Sequence, residues 1–363
     1  MRRLLHWVNG LFYALRRIIT QLLIVSRAFR RLGNPIKGDF VKRLFAACLL
    51  VVPAMMAAAS AHAEAYPAKP IRWLVPYPAG GGSDFLARTI GQALSAQTGK
   101  PVIVDNKPGA NTAIAASETA RAAPDGYTIL SADNGTMVFN TALYSKLSYN
   151  PQKDLTPVTL MGRFPMILVV GPNSDAKDAR DFVANAKAHP GSLNYGSAGA
   201  GSPHHLAMEL LKVNAGLQMT HVPYKGAAPS LSDLAGGQIS AMMVDLAAGA
   251  GFIKAGKIRA LAVASATRLP QLPDVPTFAE LGIRGVEAAA LVGVVAPAGT
   301  PADVVSSLQK LVTGIIEQPA TRQRLVDFGI EPVGSTPQQF GDLIQTETVR
   351  WHKLIKDQKI SLD

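Results

Sequence analysis

Two glycine-rich stretches hold the residues whose types and spacing best suit a chemical task. "YPAGGGSD", Tyr77 to Asp84, follows an apolar run and leads into a helical pattern; "SAGAGSPHH", Ser197 to His205, does the same further along. Glycine lets backbone N–H groups approach a ligand, and a helix start aims them, with its dipole, at an anion. Ala79, Gly80, Gly81, Gly82 and Ser83 are therefore candidate anion contacts, as are Ala198 and Gly199. Gly81 and Gly199 are expected to need positive φ. Asp84 would repel an anion directly, so its expected role is to stabilise the helix start by its charge, with contact to the ligand or its waters as the alternative. Ser202 is placed to cap the second helix, with Pro203 as its first residue.

Other chemistries lack their residues. A phosphate loop needs Lys and Ser/Thr after the glycines, and a dinucleotide fingerprint needs G-x-G-x-x-G; the first stretch has neither. Ser197 stands between Gly196 and Ala198, so the G-x-S-x-G elbow of a serine hydrolase is absent, as is H-E-x-x-H. Glu209 lies one turn beyond His205, but the adjacent His204 and His205 point in different directions on a helix, so no metal site is expected. No catalytic residue and no cofactor is assigned.

The elements that must position these stretches alternate in type. "IRWLVP", "PVIVD" and "YTILS" predict strands, with a helix through Leu86, Ile90 and Leu94 stopping at Gly99 and another from Thr112 to Ala122. A second series begins at "MILVVG", Met166, and continues through "LNYG", "MTHVPY", "ISAMMV" and "IRALAVAS". "LVGVVAPAG" is a further strand, and two helices with Thr-Pro starts close the chain. Thr300 and Thr336 are expected to cap them, with Gln339 completing a capping box at the second. The pattern predicts α/β architecture with largely parallel sheets.

Charge is uneven along the 363 residues. Residues 1–63 carry ten Lys/Arg against Asp39 alone, a net +9, so the formal +11 of the chain leaves +2 for the rest. A nearly neutral body offers no footprint for nucleic acid. The basic "VKR" at Val41, the apolar run after it and "AHA" ending at Ala63 have the order of a secretory signal. Translation is expected to begin near Val41, cleavage to follow Ala63, and residues 1–63 to be an N-terminal extension plus signal peptide. The only cysteine, Cys48, would leave with the signal, removing disulfides and thiolate chemistry.

"YPAKPIRWLVPYPAGGGSDFLAR", "NKPGANTAIAA", "PDGYTIL", "YNPQKDLTPVTLMG", "NYGSAGAGSPHHLAMELL", "HVPYKGAAPSLSDLAGGQISAMM" and "GVVAPAGTP" resemble the Bug family, periplasmic solute receptors of tripartite tricarboxylate transporters. The resemblance runs from Tyr66 to Asp363. It implies a type II periplasmic-binding-protein fold: two doubly wound α/β lobes joined by crossover strands, with a ligand cleft between them. On that pattern lobe 1 is residues 64–164 plus 275–363 and lobe 2 is residues 165–274. The resemblance further implies capture of a small carboxylate-bearing solute in the periplasm, without catalysis, by a monomer that serves membrane permease subunits. The same fold also suits a ligand-sensing receptor that feeds a signalling system. The family's ligand loops map onto Tyr77–Asp84 and Ser197–His205, where backbone amides and ordered water hold one carboxylate. The turn with Tyr224 and Lys225 borders the cleft, and Asn134 and Asp245 are further candidates at strand ends. Tyr77 and Tyr224 have the positions of gate residues.

Overall fold

The structure, a computed structural model, describes Tyr66–Asp363; the expected leader, its start near Val41 and cleavage after Ala63 lie outside the described residues. The chain opens with the strand-helix alternation its patterning predicts. β1 (Ile71–Val75), β2 (Val102–Asn106) and β3 (Thr128–Asp133) form a parallel group in the order β2-β1-β3. β1 is buried along nearly its whole length, and the Trp73 indole N–H is satisfied by Ser131 Oγ at 2.9 Å. α1 (Gly82–Thr98) turns Leu86, Ile90 and Leu94 onto this sheet and ends where Gly99 takes the left-handed conformation, φ 68°. α2 is Ala113–Ala120.

β4 (Leu155–Val170) is the element that organises both lobes. Its first part pairs antiparallel with β9 (Ala289–Pro297) from Leu155 to Pro165, completing the first sheet as β2-β1-β3-β9-β4. From Met166 onward it pairs instead with β7 (Ala241–Asp245) and β8 (Arg259–Val263). With β5 (Asn194–Ser197) and β6 (Thr220–Pro223), the second sheet reads β6-β5-β7-β4-β8, so the two lobes repeat one topology around a shared strand. Pro165 stands where the pairing changes sheets, and Pro157 stands at a register shift; proline lacks the N–H that an uninterrupted ladder requires. These prolines and Gly162 disguise Leu155–Phe164 as non-strand in the sequence, which is why the strand expected from Met166 in fact begins at Leu155.

After β8 the chain stays with the second sheet for some distance. Val263 N–H donates to Pro276 O and Phe278 N–H to Val263 O; Ala288 N–H then donates to Ala264 O just before β9 enters the first sheet. The second lobe's helices are α3 (Ala179–Ala188), α4 (Pro203–Ala215), α5 (Ala227–Ala235) and α6 (Leu246–Lys254). Three helices close the chain instead of two: α7 (Ala302–Glu317), α8 (Pro319–Asp327) and α9 (Pro337–Asp357), with the short β10 (Glu331–Pro332) against β4 before the last. Thr336 and Gln339 form the predicted capping box. Thr300 does not cap α7: its hydroxyl donates to Pro297 O at 2.7 Å, closing the turn after β9, and Pro301 takes the cap position. Among the described residues no helix is long and apolar enough to cross a membrane.

Candidate functional site

The strands β1, β3, β5 and β7 all end toward the two glycine stretches, so the candidate residues collect at the carboxyl edges of the two sheets. In the first lobe, the loop after β1 is held open by side chains around it. Asp84 Oδ2 accepts Gly80 N–H at 2.9 Å, Arg88 Nε bonds both carboxylate oxygens, and Asn106 Nδ2 donates to Asp84 Oδ1 at 2.9 Å and to Tyr77 O at 3.0 Å. Burial works against the Asp84 carboxylate, but these donors outweigh it and hold its pKa below the ordinary range. Asp84 thus shapes the loop through these bonds. Because its oxygens go to Gly80, Arg88 and Asn106, α1 has no side-chain cap, and its first N–H groups keep no intrahelical partner.

The glycines divide their work differently from the sequence expectation. Gly80 carries the positive φ, 92°, whereas Gly81 sits at −84° and a Cβ there would find nothing nearer than Pro78 O at 4.0 Å. Gly82 is the one that excludes a side chain, since a Cβ would lie 2.5 Å from Phe164 Cε1. Ala79 is exposed at the loop tip. Ser83 is buried and its Oγ has no protein partner.

Tyr77 donates its hydroxyl to Asp133 Oδ2 at 2.5 Å. Asp133 also accepts Thr136 N–H and Thr136 Oγ1, yet burial pushes its pKa up. Burial and the facing Asp133 carboxylate raise the Tyr77 phenol well above its usual value, so it stays protonated and committed to Asp133. Asn134 spends its Oδ1 on Leu291 N–H at 2.6 Å, tying β3 to β9, and leaves Nδ2 without a protein partner.

In the second lobe most candidate side chains hold the loop. Ser197 Oγ contacts Gly199 N–H, Gly199 O and His221 Nε2, the last at 2.7 Å. Ser202 accepts His205 N–H at 3.3 Å as the expected cap. Gly199 has φ 136°, as expected of a glycine that must leave the L-residue regions, and Ala198 is half-buried beside it. His205 turns into the lobe: its Nδ1 accepts Gly201 N–H at 3.1 Å and its ring stacks on His221 at 3.8 Å between centroids. Burial lowers the pKa of His205 to about 3 and of His221 to about 4, so both rings are neutral. Tyr224 donates to Asp233 Oδ2 at 2.7 Å, and burial raises its phenol to about 12. Lys225 is exposed at the rim.

Asp245 caps α6 through Ala248 N–H at 3.0 Å and meets His204 Nε2, also at 3.0 Å. Burial opposes its charge, but the His204 bond prevails and its pKa is lowered. A direct hydrogen bond ties the loop after β2 in the first lobe to the second glycine stretch: Asn111 Nδ2 donates to Gly201 O at 3.2 Å while also bonding Asn140 Oδ1 at 2.8 Å. Asn111 has φ 43°, between Ala110 at 45° and Thr112 at 75°, a run of left-handed non-glycine residues that costs backbone strain. Asn106, Asn111 and Asp133 were not singled out as site residues from sequence, though Asp133, next to Asn134 at a strand end, had a positional signal; His204 was considered only as a metal ligand and as part of the Ser197–His205 loop.

The matching family model, "Tripartite tricarboxylate transporter family receptor", spans residues 86–360. BugT of Bordetella pertussis is 33% identical over 316 residues, 87% of this chain and 97% of the relative. A protein from the tcbD-tcbE intergenic region of Pseudomonas sp. strain P51 is 38% identical over 299 residues, 82% of this chain and 89% of the relative. Among solved structures, R. palustris Rpa4515 with adipate superposes with a TM-score of 0.76 at 37% identity, covering 80% of this chain and 97% of that one. MatC from Rhodopseudomonas palustris with bound malate gives 0.74 at 33%, covering 80% and 100%. Two lobes of one topology around a shared strand, with a glycine-rich helix start in each, accompany these matches along nearly the whole described chain, and the protein belongs to the tripartite tricarboxylate transporter receptor family.

Proposed function

We propose that this protein is a periplasmic receptor that captures a small carboxylate-bearing solute between its lobes and passes it to membrane permease subunits, without transforming it. The observation that carries this reading is the pair of helix starts. α1 has no side-chain cap, and in α4 Pro203 has no N–H and Ser202 takes only His205 N–H, leaving His204 N–H, so each helix start keeps backbone N–H without an intrahelical partner. Such donors, with the dipoles behind them, suit an anionic oxygen. Relatives solved with adipate and with malate support a carboxylate as the bound group. The lobes are proposed to turn about Pro165 in β4 and about the return near Ala288, somewhat later than residue 275, because Pro276 and Phe278 are bonded to Val263 of the second sheet.

A thermal-shift screen of carboxylates on the mature chain tests this. Binding to the folded state alone stabilises by about 2.7 kcal/mol at a hundredfold excess over Kd, a rise of about 4 °C in Tm for a chain of this size. Amide or ester analogues are expected to lose most of that shift, because a neutral group leaves the anion-directed amides poorly matched. Equal shifts from a carboxylate and its ester would overturn the anion-receptor reading, and turnover of a bound compound would make the protein an enzyme.

A further inference from the structure

Three buried polar atoms at the inner ends of the lobes have no protein partner: Ser83 Oγ at the start of α1, Asn134 Nδ2 after β3, and His204 Nδ1 at the start of α4. Buried polar groups are rarely left unpaired, so each of these calls for a partner that the protein itself does not supply. Their chemistry is specific. Asn134 has committed its oxygen to Leu291 N–H, so its free atom is a donor. His204 meets Asp245 Oδ2 with Nε2, and the tautomer that carries its proton there leaves Nδ1 as an acceptor. Tyr77 cannot serve Nδ1, since its proton is on Asp133.

We propose that His204, oriented by Asp245, reads a hydrogen-bond donor on the solute, so that the preferred ligand is a hydroxylated carboxylate and not the plain one. A hydroxyl answers both free atoms in kind: it can donate to a ring nitrogen such as His204 Nδ1 and accept from an amide such as Asn134 Nδ2. The helix starts do not make this distinction, because their backbone donors recognise any carboxylate. The inference rests on the carboxylate-receptor reading and adds what that reading lacks, a feature that separates one carboxylate from another.

The test is calorimetric titration with matched pairs that differ by one hydroxyl: propionate and lactate, succinate and malate, glutarate and 2-hydroxyglutarate, with aspartate as an ammonium donor in the malate position. The hydroxylated member of the binding pair is expected to bind about tenfold tighter or more, the weight of one well-made hydrogen bond to a buried group. His204→Gln keeps an N–H for Asp245 and removes the ring nitrogen; the ratio of affinities within the pair is expected to fall toward one, whatever happens to the absolute affinities. Its melting curve establishes folding, and His204→Asn is the second variant should it fail. Tighter binding of aspartate than malate would assign the donor to an ammonium group and overturn the hydroxyl assignment. Nitrogen-15 correlation spectra of the His204 ring read the tautomer directly: a single proton on Nε2 agrees with the proposal, and protons on both nitrogens overturn it. Plain and hydroxylated members binding alike would sink this inference alone, whereas no binding by any carboxylate would sink the receptor reading with it.

Discussion

At the scale of single residues, adjacent positions have opposite duties. His204 and His205 are neighbours on one turn, yet one meets Asp245 and the other stacks on His221 inside the lobe. That buried stack has a pH consequence. The folded rings resist protonation down to about 3 and about 4, against an ordinary value of 6.5, so the unfolded chain binds protons first as pH falls. Stability contributed by the neutral rings is present above 6.5 and drains away between there and about 4. Melting curves across that range are expected to show Tm falling steadily, and a His221→Gln variant, though less stable at neutral pH, to show a shallower fall. The glycines give a second contrast. Gly82→Ala drives a methyl into Phe164 and is expected to cost about 1–3 kcal/mol, while Gly81→Ala enters open space at ordinary φ and costs under about 1 kcal/mol. Urea denaturation of the two variants reads the difference.

At the scale of elements, the segment Ala110–Thr112 stands out because its strain has a visible use. Three successive residues in the left-handed region bring the Asn111 amide to Gly201 O, a direct bond from the first lobe to the second glycine stretch. Gly201 answers in kind: a Cβ there would lie 2.8 Å from Asn111 Nδ2 and from Leu143 Cδ1. Asn111→Gly preserves the backbone and removes the latch. It is expected to weaken carboxylate binding roughly 3- to 10-fold, the weight of one hydrogen bond between the lobes. Titration calorimetry beside the wild type checks this, and an unchanged Kd would reduce the contact to local packing.

At the scale of the whole molecule, both lobes hang on β4 and β9, which run side by side from Leu155 to Pro165 before β4 continues into the second sheet. Few covalent paths cross between lobes, so a change in the cleft on binding is expected to be a rotation about that pair. Small-angle scattering is expected to show a lower radius of gyration on adding a bound carboxylate, and Gly82→Ala, which crowds Phe164 at the crossing, to reduce the change. An identical scattering curve with and without ligand would contradict closure.

Much of this was legible in the residues themselves. Strand and helix types, the Gly99 stop, the Ser202 cap and the Thr336–Gln339 box are local, because each depends on bonds within a few residues. The two glycine-rich helix starts were legible for the same reason. What sequence could not decide was every matter settled by a distant partner. β4 begins at Leu155 because β9 supplies a ladder despite two prolines. Thr300 gives its proton to the turn after β9, Asp84 is drawn to Arg88 and Asn106, and Gly82 rather than Gly81 is barred from a side chain by Phe164. His204 rather than His205 keeps a free ring nitrogen because β7 ends in Asp245 while β6 presents His221. Side-chain direction within an element follows from its own periodicity, but the group that a side chain meets depends on which other strand the fold lays beside it.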